Sequence, residues 1–356
     1  MSTKKRICLL YTGGTIGMVQ HLQDDGSIEL RPPENIGDFE RNIPELKDLC
    51  TAEFVPILNL DSTNMVPEDW TTIATSVYER MDQFDGFVVI HGTDTMHFSA
   101  SAVSLALGPN LNKPVVFTGA QTDMSVLHGD ARINLIRAVR IALEPIAEVV
   151  ICFANHVFRG CRTQKRDEKR FDAFESPAFY PVADITEEIL IHPVTSRPKE
   201  NIQAIDFMPE FSANILQVSL TPGLKPEPLY PLLESRSYDG FILLSYGAGN
   251  VPNREDKPEY SFEGFIKKAT KHNIPVVIAS QFPANSTMHT KYEPGRKAIQ
   301  AGAIPTGNMT NACATVKFNW VLTQVRSLIA KGVEREERLI ELVNYRMGKP
   351  HVHEMD

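Results

Sequence analysis

Short apolar runs rich in β-branched and aromatic residues recur along the first half of this chain. Each is followed by a stretch with helical periodicity, and that order leaves few folds open. The runs fall at residues 7–11, 54–60, 86–91, 114–118 and 149–153. Pro56 assigns the second of them to a sheet edge, because proline cannot donate to a ladder. Between the runs, a helix opens at Pro67-Glu68-Asp69 and carries Trp70, Ile73, Ala74, Val77 and Met81 at a 3.6-residue period. A small-residue helix spans 98–107, and residues 130–143 put Ile133, Ile136, Val139 and Leu143 on one face. Strands alternating with helices imply a parallel sheet with right-handed crossovers. The pattern lapses past residue 191. Residues 192–212 hold prolines and charges without periodicity and read as an interdomain linker. Strands resume at 215–220, 240–244 and 274–279, with helices at 262–272, 315–331 and 334–345. The expectation is an α/β protein of two domains. The larger N-terminal domain, 1–191, is built on a mostly parallel sheet flanked by helices. The linker at 192–212 follows, and then a smaller C-terminal α/β domain, 213–356. A length of 356 residues suffices for two such cores.

Composition narrows the function. A net charge of −8 argues against a nucleic-acid-binding surface, which is normally basic. No apolar run approaches the length of a membrane span. The basic start Lys4-Lys5-Arg6 precedes only five apolar residues before Thr12-Gly13, too few for a signal peptide. The five cysteines, Cys8, Cys50, Cys152, Cys161 and Cys313, are odd in number and lack C-x-x-C spacing. They read as reduced thiols in a cytoplasm rather than as a disulfide framework or zinc site. His351-Val352-His353 lacks the further ligands a metal needs and reads as a solvated tail.

The first apolar run breaks into Thr12-Gly13-Gly14-Thr15. Glycine permits positive φ and close approach of other atoms, and Thr15 is held just beyond the carboxyl end of a parallel strand, where α/β sheets bind ligands. An ordinary strand-to-loop turn accounts for the same residues. Neither familiar phosphate loop is present, because Thr15 stands where a dinucleotide fingerprint needs glycine and no Gly-Lys-Ser/Thr follows. Two further strand ends carry similar groups, Asp61-Ser62-Thr63 and Thr93-Asp94. Taken singly, such residues are most often helix caps; taken together, they share one sheet edge. The segment Arg159-Gly160-Cys161-Arg162-Thr163-Gln164-Lys165 reads either as a solvated basic loop or as the source of a lysine base. The stretch from Gln20 to Pro33 reads as a long polar lid or binding loop.

Three motifs together resemble the bacterial L-asparaginases, the cytoplasmic type I branch best. They are Tyr11-Thr12-Gly13-Gly14-Thr15-Ile16-Gly17-Met18, His91-Gly92-Thr93-Asp94-Thr95-Met96 and Arg159-Gly160-x-Arg162-Thr163-x-Lys165. Asp61-Ser62-Thr63-x-Met65, Phe171-Asp172-Ala173-Phe174-x-Ser176-Pro177 and Ser245-Tyr246-Gly247-x-Gly249-Asn250 follow the family order. The resemblance implies hydrolysis of L-asparagine to L-aspartate and ammonia through a threonyl ester, with water and no cofactor or metal. It implies Thr15 as nucleophile and Thr93, Asp94 and Lys165 as the second catalytic group. Asp61, Ser62 and Thr63, with Thr93 and Asp94, would hold the substrate's α-groups. It further implies a cytoplasmic homodimer or homotetramer acting on a small molecule, with no nucleic acid or membrane partner. The alternatives are the asparaginase-like subunit of a tRNA-dependent amidotransferase and a non-hydrolytic amino-acid sensor. One departure stands out. Family members place a tyrosine in the loop after the nucleophile; here the matching position is Ser27, and no tyrosine occurs between Tyr11 and Tyr78.

Overall fold

A computed structural model describes residues 4–22, 28–282 and 293–356. The chain divides into two compact units, Met1–Pro209 and Glu210–Asp356.

In the first unit, β1 (Arg6–Tyr11) is followed by an antiparallel pair, β2 (Val19–Leu22) and β3 (Ile28–Arg31). The long polar loop expected there contains two strands paired in antiparallel register, Val19 opposite Arg31 and Leu22 opposite Ile28. Ser27 lies outside the described residues. Then come α1 (Ile36–Asn42), α2 (Leu46–Leu49), β4 (Thr51–Pro56), α3 (Pro67–Tyr78) and β5 (Gly86–Ile90). They are followed by α4 (Met96–Leu107), β6 (Val115–Thr118), α5 (Ala131–Ala142) and β7 (Val149–Phe153). The unit ends in short strands: β8 (His156–Arg159), β9 (Gln164–Lys165), β10 (Phe174–Glu175), β11 (Ala183–Ile185) and β12 (Ile189–Ile191).

The main sheet has the order β12-β11-β8-β7-β6-β5-β1-β4. Its five strands from β4 to β7 are parallel, and β8, β11 and β12 extend it antiparallel. Pro56 ends β4 on the outer edge, where a missing N–H costs no ladder bond. Strand β1 lies between β4, which follows it in the parallel set, and β5, which comes next; the strand order reverses at β1. Ile7, Leu9, Val88, Ile90, Val116 and Val150 pack one sheet face against Leu135, Val139 and Ile141 of α5. Helix α3 starts as its sequence demands, with Pro67 in the first turn and Asp69 Oδ2 accepting the Val66 N–H at 2.9 Å. All of α4 except Phe98 is buried. Its serines are tolerated there because Ser101 and Ser104 donate to the carbonyls of His97 and Ala100, both at 2.7 Å. Through Pro209, the stretch read as a linker is bonded into this unit: Thr195 Oγ1 donates to Val182 O at 2.6 Å and Met208 N to Ala106 O at 3.0 Å.

The second unit holds a parallel four-stranded sheet, β13 (Ile215–Ser219), β14 (Gly240–Ser245), β15 (Val276–Ser280) and β16 (Ile304–Pro305). Its helices are α6 (Tyr230–Glu234), α7 (Glu263–Lys271), α8 (Glu293–Gln300), α9 (Asn311–Ala330) and α10 (Leu339–Met347). Phe241 meets Phe265 edge-on at 5.2 Å in its core. The last residues are not a solvated tail. Glu354 and Met355 are buried, and Glu354 accepts the N–H groups of His351 and Val352 while its carboxylate pairs with Lys317 of α9 at 2.5 Å. Alternating apolarity cannot foretell such a tail, which is held by one buried ion pair. All five cysteines are buried and none is in a disulfide. No helix among the described residues is long and apolar enough to cross a membrane.

Candidate active site

In open α/β sheets, ligands bind beyond the carboxyl ends of the strands where the order reverses. Here that point is the end of β1, between the connections leaving β4 and β5. Three loops meet there without slack. Thr12 donates from N and Oγ1 to Ile90 O at 3.0 and 2.9 Å, and its own carbonyl accepts Leu60 N at 2.9 Å. Gly13 and Gly14 have φ of +120° and +89°. A Cβ on Gly13 would lie 2.1 Å from Leu60 O, one on Gly14 2.6 Å from Gly92 Cα, and one on Gly92 2.7 Å from Ser62 Oγ. Only glycine satisfies both the conformation and the approach at positions 13 and 14.

This packing aims Thr15 into solvent. The residue opens a single 3₁₀ turn, Thr15–Gly17, and is exposed; among the described residues its hydroxyl has no hydrogen-bond partner. It borders a cavity of about 360 Å³ whose walls include Met18, Pro32, Asn59, Asp61, Ser62, Thr93 and Asp94. Asp61 caps the turn Ser62–Asn64, accepting Thr63 N at 2.9 Å and Thr63 Oγ1 at 2.8 Å. Those two bonds hold its carboxyl below the ordinary value, so it stays ionised. Ser62 is buried, and its carbonyl receives the Thr95 hydroxyl at 2.6 Å.

Lys165 reaches the same place from β9, which pairs antiparallel with β10. Its Nζ donates to Thr93 Oγ1 at 2.9 Å and to Asp94 Oδ1 at 2.6 Å. The lysine is 12% exposed and the aspartate 54%, so the ammonium is largely buried behind Asp94, whose carboxylate borders the cavity. Asp94 accepts from Lys165, whereas α4 has no side-chain cap, and the Lys165 side chain is largely buried rather than solvated.

Two buried histidines line the rear. Burial pushes His91 down to about 4, against the opposing pull of the Gly92 carbonyl. Burial, reinforced by the Lys165 charge, pushes His97 down to about 4. Both are neutral at pH 7. His91 Nδ1 lies 2.7 Å from Gly92 O, which can only accept, so Nδ1 carries the proton and Nε2 accepts from Ser99 Oγ at 2.9 Å. This bond fixes the peptide that leads into Thr93. In the sequence, His91 carries no signal beyond that of a strand end. The end of β6, where Asp130 holds Gln121 against Thr93, is a fourth loop to which the rule that collects parallel strand ends applies equally. Among the described residues, no group of three His, Cys, Asp or Glu side chains is arranged to hold a metal ion.

The first unit's cavity therefore combines the exposed Thr15 hydroxyl, the Thr93 hydroxyl and Asp94 carboxylate that Lys165 bonds, and a second carboxylate, Asp61. That set suits a small ligand carrying an ammonium group and an electrophilic carbon.

Residues 6–196 match the family model described as asparaginase, N-terminal, and residues 214–330 match the glutaminase/asparaginase C-terminal domain. The chain is 33% identical over 341 residues to L-asparaginase 1 of Escherichia coli (strain K12), covering 90% of this chain and 93% of that one. It is 30% identical over 331 residues to a glutamyl-tRNA(Gln) amidotransferase subunit from Methanosphaera stadtmanae, covering 90% of this chain and 73% of that one. The solved thermostable L-asparaginase from Thermococcus kodakarensis matches with a TM-score of 0.84 and 30% identity over 99% of both chains.

Proposed function

The chain belongs to the asparaginase family, and from that premise we propose that it hydrolyses L-asparagine to L-aspartate and ammonia with Thr15 as nucleophile. The observation that carries this reading is the exposed Thr15 hydroxyl on a cavity that Asp61, Thr93 and Asp94 also border, with Lys165 Nζ bonded to both Thr93 and Asp94. Asp61 and Asp94 receive the α-ammonium, and Ser62 and Thr63 belong to the turn that receives the α-carboxylate. The side-chain amide carbon then faces Thr15 Oγ1. Attack forms the C–O bond. The developing oxyanion is met by N–H groups of the Thr15 and Thr93 turns. Collapse breaks the C–N bond, and the amide nitrogen leaves as ammonia with the proton that Thr15 gave up. Water then cleaves the ester: its oxygen bonds to the carbonyl carbon, the bond to Thr15 Oγ1 breaks, and a water proton returns to Thr15 through the Thr93 hydroxyl, which the Lys165 ammonium holds in place. Splitting the reaction in two is what a hydroxyl nucleophile achieves. A cytoplasmic homo-oligomer is part of the same reading.

A second reading, as the ammonia-supplying subunit of an amidotransferase, is favoured by the 30% identity to the Methanosphaera stadtmanae protein. Steady-state ammonia release by the purified chain alone separates the two: full turnover on asparagine without a partner supports the first. Thr15→Val removes the hydroxyl and keeps the shape. The expected loss is roughly 10⁴-fold or more in kcat, by analogy with nucleophile deletions. A folded variant with near-normal turnover would falsify Thr15 as nucleophile.

A further inference from the structure

Thr93 has one hydroxyl proton to give. Lys165 Nζ donates to its oxygen, so the Thr93 proton must go to a different acceptor. Among the described residues, that acceptor is Gln121 Oε1 at 3.4 Å. The orientation of the amide is settled from its other end. Gln121 Nε2 lies 3.2 Å from the Arg170 carbonyl oxygen, which can only accept, so the oxygen end faces Thr93.

Both anchors of this side chain matter. Arg170 lies in the connection between β9 and β10, the hairpin from which Lys165 projects. That connection is held by Arg166 N to Ala173 O at 2.8 Å and by Asp167 Oδ1 accepting the N–H groups of Lys169 and Arg170 at 2.7 and 2.9 Å. Behind Gln121, the buried Asp130 carboxylate accepts Gln121 N at 3.1 and 3.0 Å. It also accepts Thr122 N, Thr122 Oγ1 and Asn134 Nδ2, each at 3.1 Å. Asn134 in turn donates to Gly119 O at 3.0 Å. One amide, standing on a saturated carboxylate, thus joins the loop after β6 to the threonine on one side and to the lysine's hairpin on the other.

We propose that Gln121 is a positioning residue that fixes the Thr93 hydroxyl against Lys165, setting the direction of its proton and the register of the hairpin at the same time. The proposal rests on reading Thr93 and Lys165 as one proton-transfer unit of the reaction above. Gln121 does not border the cavity, so its loss is expected in kcat rather than in substrate binding.

The test compares Gln121→Met, which keeps the volume and removes both bonds, with Gln121→Glu, which keeps the acceptor and adds charge. Thermal unfolding confirms that each variant folds. With asparagine, Gln121→Met is expected to lose about 10- to 100-fold in kcat with KM within about threefold, the scale of a misplacement of up to 1 Å. Gln121→Glu should fall between it and the wild type, since its carboxylate still accepts from Thr93. A purely structural role would raise KM as it lowers kcat and would treat the two variants alike, whereas a positioning role confines the loss to kcat and is partly rescued by Gln121→Glu. Unchanged kcat in Gln121→Met, or equal losses in the two variants, overturns the proposal. Thr15→Val is run beside them: ammonia release retained there defeats the nucleophile reading, while the ranking of the two Gln121 variants still decides Gln121.

Discussion

Removing either partner of the Lys317–Glu354 pair should cost the second unit more than any surface substitution. The pair is 2.5 Å long and almost completely buried, at 1% and 0% exposure. Lys317 Nζ also donates to Met347 O at 3.1 Å and Lys349 O at 2.6 Å. Breaking a buried pair by deleting one partner costs about 3–5 kcal/mol, because the remaining charge is left uncompensated. Unfolding entropy runs to about 2.1 cal/mol/K per residue near 60 °C. Over the 147 residues from Glu210 to Asp356 this converts the loss into a fall of about 10–16 °C in the unit's Tm. Lys317→Met should be the more damaging single change. Adding Glu354→Gln to it should restore part of the loss, since the amide oxygen still accepts the His351 and Val352 N–H groups and no charge stays buried. The chain has two tryptophans, one in each unit, and Trp320 lies against His351 with ring centres 4.9 Å apart. Its fluorescence in a Trp70→Phe background reports the second unit alone. Burial by itself would raise the Glu354 carboxyl, but the Lys317 charge and the hydrogen bonds outweigh it and hold the group below its ordinary 4.5. The stabilisation is therefore fully present above pH 4.5 and is lost as pH falls through the lowered folded-state value. The gap between wild type and Glu354→Gln should be flat from neutral pH to near 5 and narrow below. A Glu354→Gln loss under about 1 kcal/mol, or a double variant as unstable as the two single losses added together, would refute the buried-charge reasoning.

Two further outcomes follow from the first unit. Thr93→Val and Lys165→Met should each lower kcat by about 10²- to 10⁴-fold, the usual share of a proton-transfer group, and the double variant should be little worse than either. Fully additive losses in steady-state kinetics would mean that the two side chains serve separate steps. Asparagine should be preferred to glutamine, because one added methylene moves the reactive carbon by about 1 Å from a nucleophile fixed by the Gly13–Gly14 turn, costing on the order of 100-fold. Comparable kcat/KM for the two amides would sink that expectation.

Much of this site is legible in the sequence, for a physical reason. A parallel strand buried on both faces must be apolar, so its end is marked by a change to glycine and polar residues. Thr15 and Thr93 lie in such stretches after β1 and β5, Asp61 follows the edge strand β4, and topology does the rest. Lys165 is harder to place, since its two-residue strand carries no periodicity and its neighbours Arg166, Lys169 and Arg170 look like a solvated face. The capping rule describes Asp61 well and Asp94 poorly. Both carboxylates precede a turn, but only Asp94 has an ammonium within 2.6 Å, a contact 71 residues away in sequence. The same distance problem hides Gln121, whose partners come from three separate segments. The strands β8, β11 and β12 escape a sequence reading because short antiparallel extensions at a sheet edge need neither a full apolar run nor a crossover helix.

The contact of Gly13, Gly14 and Gly92 with backbone or side chain of the neighbouring loop has a consequence for how substrate preference can change. None of the three loops can drift alone: a single added methyl at any of these positions collides with another loop, so altering one requires a coordinated change in a second. Adaptation, natural or in the laboratory, is thereby channelled toward the cavity positions outside that weld. Met18, Pro32 and Asn59 border the same space without contributing to it. Libraries confined to those three positions should yield a higher fraction of folded, active variants than libraries spread over the glycine loops, at equal size.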